Sequence, residues 1–222
     1  MQSVIVTSYV DPDLDGLGSA VGYAEFLNKT GKQVIIKVVG VPHDEALYVL
    51  RRFQIEMPET IPDLLSFNKV ILVDTSELGS LLGKINPEAV IEVIDHRSIH
   101  EAGVFTNAKT QIELVGSVAT LITEKFMTTD ISISKEAAIL MYGAIISNTL
   151  NFKASVTTER DRQAAAWLNQ TAQLSEFFWK ELFIAKSDLS GHVLKERIDG
   201  DFATFTMGGK RIGIAQIEMI GA

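Results

Sequence analysis

The chain has 222 residues, of which 46% are hydrophobic and 22% are charged, a composition typical of a globular protein with one large or two small domains. It contains no cysteine, which excludes thiolate metal sites, disulfide bonds and cysteine nucleophiles and predicts a reducing, cytoplasmic location. The formal net charge of −8 argues against a nucleic-acid partner bound by bulk charge, and no apolar run reaches the roughly 18 residues that indicate a membrane span.

The first half of the chain alternates strand-like and helix-like segments. Residues 3–8 (SVIVTS) are apolar and β-branched, which predicts a buried strand, and residues 18–32 place apolar residues at helical spacing before Gly31. Further strands are predicted at residues 33–39 (QVIIKVV), 69–73 (KVILV) and 90–94 (VIEVI), with a helix near residues 44–53. This alternation predicts an α/β fold with a mostly parallel sheet flanked by helices.

From residue 116 to about residue 185 the pattern becomes helical, and the C-terminal tail then changes character again. Two alternating runs in the tail surround Gly208 and Gly209, which predicts a β-hairpin with a glycine turn. A polar stretch precedes this hairpin and predicts a domain boundary there. We therefore expect one α/β domain over residues 1–189 and a hairpin piece of a second, smaller domain over residues 190–222.

Charged side chains follow three of the predicted strands, at the edge where open parallel sheets bind their ligands. The first strand is followed by Asp11, Asp13 and Asp15, the strand at residues 69–73 by Asp74 and Glu77, and the strand at residues 90–94 by Asp95, His96, Arg97 and His100. Carboxylates this close together disfavour one another's ionisation unless a cation lies between them. Each motif alone is also typical of a helix cap or a solvated turn, but their joint occurrence predicts a divalent metal site.

The ligand types indicate which metal and which chemistry to expect. Oxygen ligands with one imidazole suit Mn²⁺ or Mg²⁺ better than zinc. Two such ions bridged by a shared carboxylate would clamp a phosphoryl group and lower the pKa of a bridging water. No GxGxxG or GxxxxGK[ST] motif follows the first strand, which argues against dinucleotide or P-loop binding. The residues therefore predict metal-assisted hydrolysis of a phosphate ester or anhydride.

Four segments resemble, in order and spacing, the motifs of the DHH phosphoesterase superfamily: DPDLD, VDTSE, IDHR and GAIISNTLNFKASVTTERD. The segments ELVGSVATLITEKF and GGKRIGIAQIE are similar to the branch of the family II, manganese-dependent inorganic pyrophosphatases with their exopolyphosphatase-like and prune-like relatives. This resemblance implies a Rossmann-like N-terminal domain with a centre of two Mn²⁺ or Mg²⁺ ions. It also implies a smaller C-terminal domain that closes over a phosphate-containing substrate.

The resemblance implies a role for each matching residue. Asp13 would bind the first metal, Asp15 would bind the second, and Asp74 would bridge both. His96 would also bind the second metal. Arg97 stands where the pyrophosphatases have a second histidine, and its fork of donors could still hold a phosphate oxygen.

The sequence departs from the pattern of the pyrophosphatases at three positions. Tyr9 stands where they have a histidine ligand of the first metal, and a protonated phenol is a poorer ligand. Asn148 stands where an aspartate is expected, although its amide oxygen could still bind the second metal. Ala203 stands where a substrate-binding lysine is expected, and residues 190–222 supply only the start of the C-terminal domain, without its basic motif.

The main hypothesis is a phosphohydrolase that acts on pyrophosphate, polyphosphate or a related phosphoanhydride through a metal-bound hydroxide. The alternative is a catalytically weakened homologue that binds phosphorylated ligands or a protein partner, because the three departures weaken both the metal site and the phosphate contacts. Nucleotide phosphodiesterase activity ranks last, since the tail resembles the pyrophosphatase branch. Relatives in that branch are often dimers, so a homodimer is a further expectation.

Overall fold

The computed structural model describes residues 3–97, 100–187, 195, 198 and 202–214. The described helices are α1 (Leu14–Lys29), α2 (Asp44–Phe53), α3 (Val118–Thr129), α4 (Lys135–Asn148), α5 (Glu159–Ala172) and α6 (Phe178–Lys186). The described strands are β1 (Val4–Thr7), β2 (Val34–Ile36), β3 (Val38–Val39), β4 (Thr60–Ile61), β5 (Val70–Val73), β6 (Val90–Asp95), β7 (Lys109–Ile112), β8 (Ala203–Met207) and β9 (Lys210–Ile214). Short 3₁₀ turns lie at Gly79–Leu81, Pro87–Ala89 and Ala102–Val104.

Five strands form one parallel sheet in the order β2-β1-β5-β6-β7. The chain first moves from β1 to β2 on one side and later places β5 on the other side of β1. In an open parallel sheet, a reversal of this kind leaves a crevice at the carboxyl ends of the two central strands, where ligands bind. The predicted α/β fold with a mostly parallel sheet is confirmed, and the crevice lies where the acidic segments follow β1 and β5.

Three details of the fold differ from the sequence-based expectation. The strand predicted at residues 33–39 is divided, because β3 leaves the main sheet and pairs with β4 in a separate two-stranded sheet. Strand β7 was not predicted, since its sequence KTQI is largely polar and its residues are exposed or half-buried at the edge of the sheet. Helix α1 begins at Leu14, four residues before the apolar spacing indicates, because the Asp13 side chain caps it by accepting a hydrogen bond from the Gly16 amide.

The sheet separates two hydrophobic clusters. Side chains alternate along β5, so that Ile71 and Val73 pack with the helices while Val70 and Leu72 face the other cluster. All six described α-helices contribute apolar residues to the first cluster. Turns and loops contribute much of the second cluster, including the fully buried Phe105. The helices therefore pack over the sheet face from which α1, α3 and α4 reach the crevice.

Helices α1 and α4 approach closely because a glycine lies between them. A side-chain carbon at Gly18 would lie 3.0 Å from the Leu140 carbonyl oxygen, which is closer than most non-bonded contacts allow. The absence of a side chain at Gly18 lets the two helix backbones meet. This contact holds Asn148, the last residue of α4, near the first turn of α1.

The C-terminal tail contains the predicted hairpin. Strands β8 and β9 pair antiparallel, and Gly208 and Gly209 form the turn between them with φ angles of 56° and 76°. Such left-handed angles favour glycine, which explains the sequence signal. The predicted domain boundary near residue 190 lies outside the described residues. No helix in the described ranges has the length and apolarity that crossing a membrane requires.

Candidate metal centre

Three predicted ligands meet at the carboxyl ends of β1, β5 and β6. One ligand atom each from Asp15, Asp74 and His96 lies within 4.8 Å of the others. The His96 Nε2 atom is 3.4 Å from Asp74 Oδ1 and 4.0 Å from Asp15 Oδ2. Two ligands about 2.1 Å from one ion lie roughly 3 Å apart when adjacent and roughly 4 Å apart when opposite. The three residues therefore have the spacing of ligands around one divalent cation.

His96 has the orientation of a metal-binding histidine. Its Nδ1 lies 2.9 Å from the Val115 carbonyl oxygen, and because a carbonyl only accepts, Nδ1 carries the hydrogen. The neutral ring then directs the Nε2 lone pair at Asp74 and Asp15. Burial lowers the pKa of His96, but the hydrogen bond with Asp74 and the charge of Asp15 outweigh it and raise the pKa to about 10. A proton on Nε2, or a cation in its place, relieves the electrostatic repulsion between the two carboxylates and the Nε2 lone pair.

Asp74 follows β5 in a conformation that few residues adopt. Its φ of 60° is left-handed, which aspartate tolerates better than most residues because of its short polar side chain. The residue is only 2% exposed. Burial and the charge of Asp15 raise the pKa of Asp74 well above its usual range, and the hydrogen bond with His96 opposes them only in part. Within the described part of the chain, the imidazole of His96 is the sole hydrogen-bond partner found for this carboxylate, which leaves it free to coordinate a cation.

Asp15 lies in the first turn of α1 and is fully buried against the start of α3. Its carboxylate accepts hydrogen bonds from Ser19 Oγ, Ser117 Oγ, Val118 N, Ala119 N and Asn148 Nδ2. The two amides belong to the first turn of α3, where unpaired N–H groups and the helix dipole stabilise an anion. This environment fixes the position of the carboxylate beside His96.

Asn148 reaches the centre as predicted, and its amide nitrogen faces Asp15. The Nδ2 atom lies 2.7 Å from Asp15 Oδ2. A carboxylate oxygen can only accept, so the amide must present its N–H group and direct its oxygen elsewhere. Metal coordination by the Asn148 amide oxygen stays a prediction, and it would require the side chain to turn and give up its hydrogen bond to Asp15.

Asp13 and Tyr9 lie side by side next to the three ligands. Asp13 caps α1 through its 2.9 Å hydrogen bond from the Gly16 amide, and its own amide donates to the Tyr9 hydroxyl at 3.1 Å. Burial and the charges of Glu45 and Asp15 raise the pKa of Asp13. Burial and the charges of Asp13 and Asp74 raise the pKa of Tyr9 well above its ordinary value, so the phenol keeps its proton.

Arg97 lies at the rim of the centre. Its guanidinium group is 3.4 Å from the Asp74 carbonyl oxygen and 3.4 Å from Glu77 Oε1, and it lies over the ring of Tyr9 at 5.9 Å from the centroid. The side chain is 40% exposed, so a ligand in the crevice can reach its donors. This position suits the phosphate contact predicted for Arg97.

Other charged residues from the strand ends are not part of the group. Asp11 is exposed, and its Oδ1 accepts a 2.7 Å hydrogen bond from the Val41 amide. His100 is also exposed. Asp95 is fully buried beneath the centre, where it accepts hydrogen bonds from the Ser76 hydroxyl and the His96 amide. Asp95 therefore positions His96 without facing the other ligands.

The structure also shows a supporting residue that the sequence analysis missed. Glu45, in the first turn of α2, is buried and accepts hydrogen bonds from the Leu14 amide at 3.2 Å and the Ser147 hydroxyl at 2.5 Å. It also pairs with Lys186 at 3.4 Å. Burial alone would raise the pKa of Glu45, but the charge of Lys186 and the Ser147 hydrogen bond lower it. Glutamate near the start of an amphipathic helix is usually exposed, so no local sequence pattern indicates this role.

Comparisons with known proteins identify the family. The family described as "DHH family, N-terminal domain" matches residues 3–145. The chain belongs to the DHH family. It is 33% identical over 220 residues to the manganese-dependent inorganic pyrophosphatase of Methanothrix thermoacetophila, covering 98% of this chain and 70% of that protein. It is 32% identical over 222 residues to the manganese-dependent inorganic pyrophosphatase of Bacillus subtilis, covering 99% of this chain and 72% of that protein.

Solved structures of DHH relatives agree with this assignment. A putative family II inorganic pyrophosphatase from Methanococcus jannaschii superimposes with a TM-score of 0.75 and 30% identity, covering all of this chain and 73% of that one. An exopolyphosphatase-related protein from Bacteroides fragilis has a TM-score of 0.59 and 17% identity, covering 92% and 62%, and supports the fold alone. The resemblance to the manganese-dependent pyrophosphatase branch is confirmed.

Proposed function

We propose that this DHH protein is a manganese-dependent hydrolase that cleaves inorganic pyrophosphate or a related short phosphoanhydride. The observation that supports this most is the compact group of Asp15, Asp74 and His96 in the crevice, together with the likeness to manganese-dependent inorganic pyrophosphatases. Two carboxylates and an imidazole whose free nitrogen faces them are ligands that suit Mn²⁺. The alternative of a non-hydrolytic binding protein is not favoured, because these three ligands are in place.

Each residue of the centre has a separate task in this proposal. Asp15, Asp74 and His96 would hold the cation, whose chemistry is the activation of water and the neutralisation of phosphate charge. Arg97 would bind phosphate oxygens from the rim and neutralise the charge that develops on them. Asp13 fixes the start of α1, and Asn148 fixes the carboxylate of Asp15. The other expectations, a homodimer, a cytoplasmic location and no nucleic-acid partner, stay predictions.

The test is orthophosphate release from pyrophosphate and tripolyphosphate in the presence of Mn²⁺. We expect release well above a control with Mn²⁺ alone, and a fall of about 100-fold or more in His96→Gln because a metal ligand is lost. His100→Gln is the matched control, since His100 is exposed and outside the ligand group. No release by the unaltered protein, or equal release by the His96→Gln variant, would refute the proposal.

A further inference from the structure

The resemblance stated from the sequence implies two metal ions, yet the structure assembles ligands for one. The compact group contributes two carboxylates, Asp15 and Asp74, and one neutral imidazole, His96. Their formal charge of −2 balances one divalent ion. A second divalent ion in a buried site would need further anionic ligands, because an uncompensated charge in a low-dielectric interior is strongly unfavourable.

Two hydrogen bonds within the protein involve Asp13 beside the group. Asp13 Oδ1 accepts from the Gly16 amide at 2.9 Å, and the Tyr9 hydroxyl lies against the Asp13 amide at 3.1 Å. A phenol with an ordinary pKa of about 10 is neutral at physiological pH, so Tyr9 carries no negative charge that could balance a second cation. Asp13 supplies one carboxylate beside the group, and the neutral Tyr9 adds neither an anion nor an imidazole, so this side offers less charge than a second divalent cation requires.

Asn148 contacts the group through Asp15. Its amide nitrogen donates to Asp15 Oδ2 across 2.7 Å. A cation between these two residues would face the positive end of the amide dipole, or would require the side chain to rotate and give up its bond to Asp15. A carboxylate at the same position would repel Asp15 at this distance and would need a cation between them. The amide therefore replaces a cation as the partner of Asp15 on this side.

We propose that the centre binds a single divalent cation per chain, held by Asp15, Asp74 and His96, with Tyr9 and Asn148 excluding a second ion. In this arrangement Asp13 and Asn148 are hydrogen-bonding residues that shape the site. The inference rests on the proposed function only in placing a divalent cation at this centre.

The experiment measures how many ions bind. Protein freed of metal with a chelator is dialysed to equilibrium against Mn²⁺ at several concentrations, and bound metal is determined by elemental analysis against protein concentration. Electron paramagnetic resonance of the same samples distinguishes an isolated Mn²⁺ ion from an exchange-coupled pair. We expect saturation at one ion per chain and the spectrum of an isolated ion. Saturation at two ions, a coupled spectrum or no specific binding would overturn the proposal.

Variants test whether Tyr9 and Asn148 exclude the second ion. The double substitution Tyr9→His with Asn148→Asp adds an imidazole and a carboxylate, so we expect binding to rise to two ions with a coupled spectrum. Tyr48→Phe is the matched control, because the Tyr48 hydroxyl bonds Glu181 away from the centre, and it should still bind one ion. A folded double variant that stays at one ion would contradict the role of these two residues. If the double variant does not fold, the single Asn148→Asp variant serves as the test. We expect this variant to bind more than one ion per chain.

Pyrophosphate hydrolysis is assayed on the same samples, which separates this inference from the proposed function. Two bound ions with hydrolysis would overturn the one-ion centre and leave the hydrolase intact. One bound ion without hydrolysis of pyrophosphate or tripolyphosphate would overturn the hydrolase and leave the one-ion centre intact.

Discussion

The His96 side chain has the orientation that the proposed metal site requires. The Val115 carbonyl fixes the hydrogen on Nδ1, and the packing around the ring leaves Nε2 between two carboxylates. A buried imidazole in this position retains a proton that it would release in water. A proton and a cation therefore compete for the Nε2 atom, and the binding of either one stabilises the folded state.

A pH dependence of stability follows for protein freed of divalent ions. The pKa of His96 rises from 6.5 to about 10 on folding, so the folded state holds a proton that the unfolded state has released. The contribution is complete below pH 6.5 and is lost as the pH rises toward 10. We expect the free energy of unfolding to fall over this window, by at most about 1.4 kcal/mol per pH unit for one proton. The raised pKa of Asp74 acts in the same direction.

Urea unfolding at a series of pH values measures this slope. The His96→Gln variant should lose most of it, whereas His100→Gln should keep it. Adding Mn²⁺ should abolish the slope in the unaltered protein, because the cation takes the place of the proton. A flat profile in the chelated protein would show that Nε2 is not held between charged carboxylates.

At the residue scale the sequence predicted that Asp15, Asp74 and His96 lie together, as the structure shows, but it could not predict the hydrogen-bond partners of these residues. Asp15, Asp74 and His96 each follow a strand, and the ends of neighbouring parallel strands must meet. The direction of the Asn148 amide depends on a contact with Asp15 across 133 positions of the chain, which no local pattern encodes. The same holds for Glu45, whose burial is set by helices far away in sequence.

Among the helices, the ends are better defined by the structure than by the sequence. Helix α1 is buried on nearly all sides, so its apolar spacing gives a weak signal, and the cap at Asp13 determines where it starts. Helix α5 shows the opposite case, because Thr158 and Asp161 form a capping box that is recognisable as a local pattern.

The C-terminal end of α5 allows a test of backbone strain. Gln173 is exposed and adopts a left-handed φ of 53°, which costs a residue with a side chain about 1 kcal/mol relative to glycine. We therefore expect Gln173→Gly to stabilise the protein by roughly 0.5–1 kcal/mol. The matched control is Gln163→Gly, an exposed position inside the same helix, where glycine should destabilise by about 1 kcal/mol. Chemical denaturation of the three proteins measures both changes, and equal signs would contradict the assignment of the helix end.

For the molecule as a whole, the order β2-β1-β5-β6-β7 decides where the chemistry lies. Alternating strand and helix patterns were sufficient to predict the parallel sheet, because buried strands and amphipathic helices have different periods. The polar edge strand β7 and the division between β2 and β3 were not predictable, since both depend on which neighbours the sheet provides. The cation site lies where separate parts of the sheet and the helices meet, so its occupancy should affect global stability.

Mn²⁺ is therefore expected to raise the midpoint of thermal unfolding. A free concentration about 100 times the dissociation constant stabilises the folded state by about 2.7 kcal/mol, if the unfolded chain does not bind. For a chain of this size that corresponds to roughly 5–10 °C. Asp74→Asn should lose this response, because the substitution removes a carboxylate from the group of three candidate ligands. Asparagine also tolerates the left-handed backbone at this position, so the substitution adds little strain. An unchanged response in the variant would argue against Asp74 as a ligand.

The contacts of Asp15 also bear on how the protein is made. This residue bonds Val118 and Ala119, which follow it by 103 and 104 positions, and Asn148, which follows it by 133. During translation the N-terminal strand and its aspartates leave the ribosome long before these partners exist. The nascent chain cannot form the complete centre until α4 has emerged, so manganese capture should be a late event in biosynthesis.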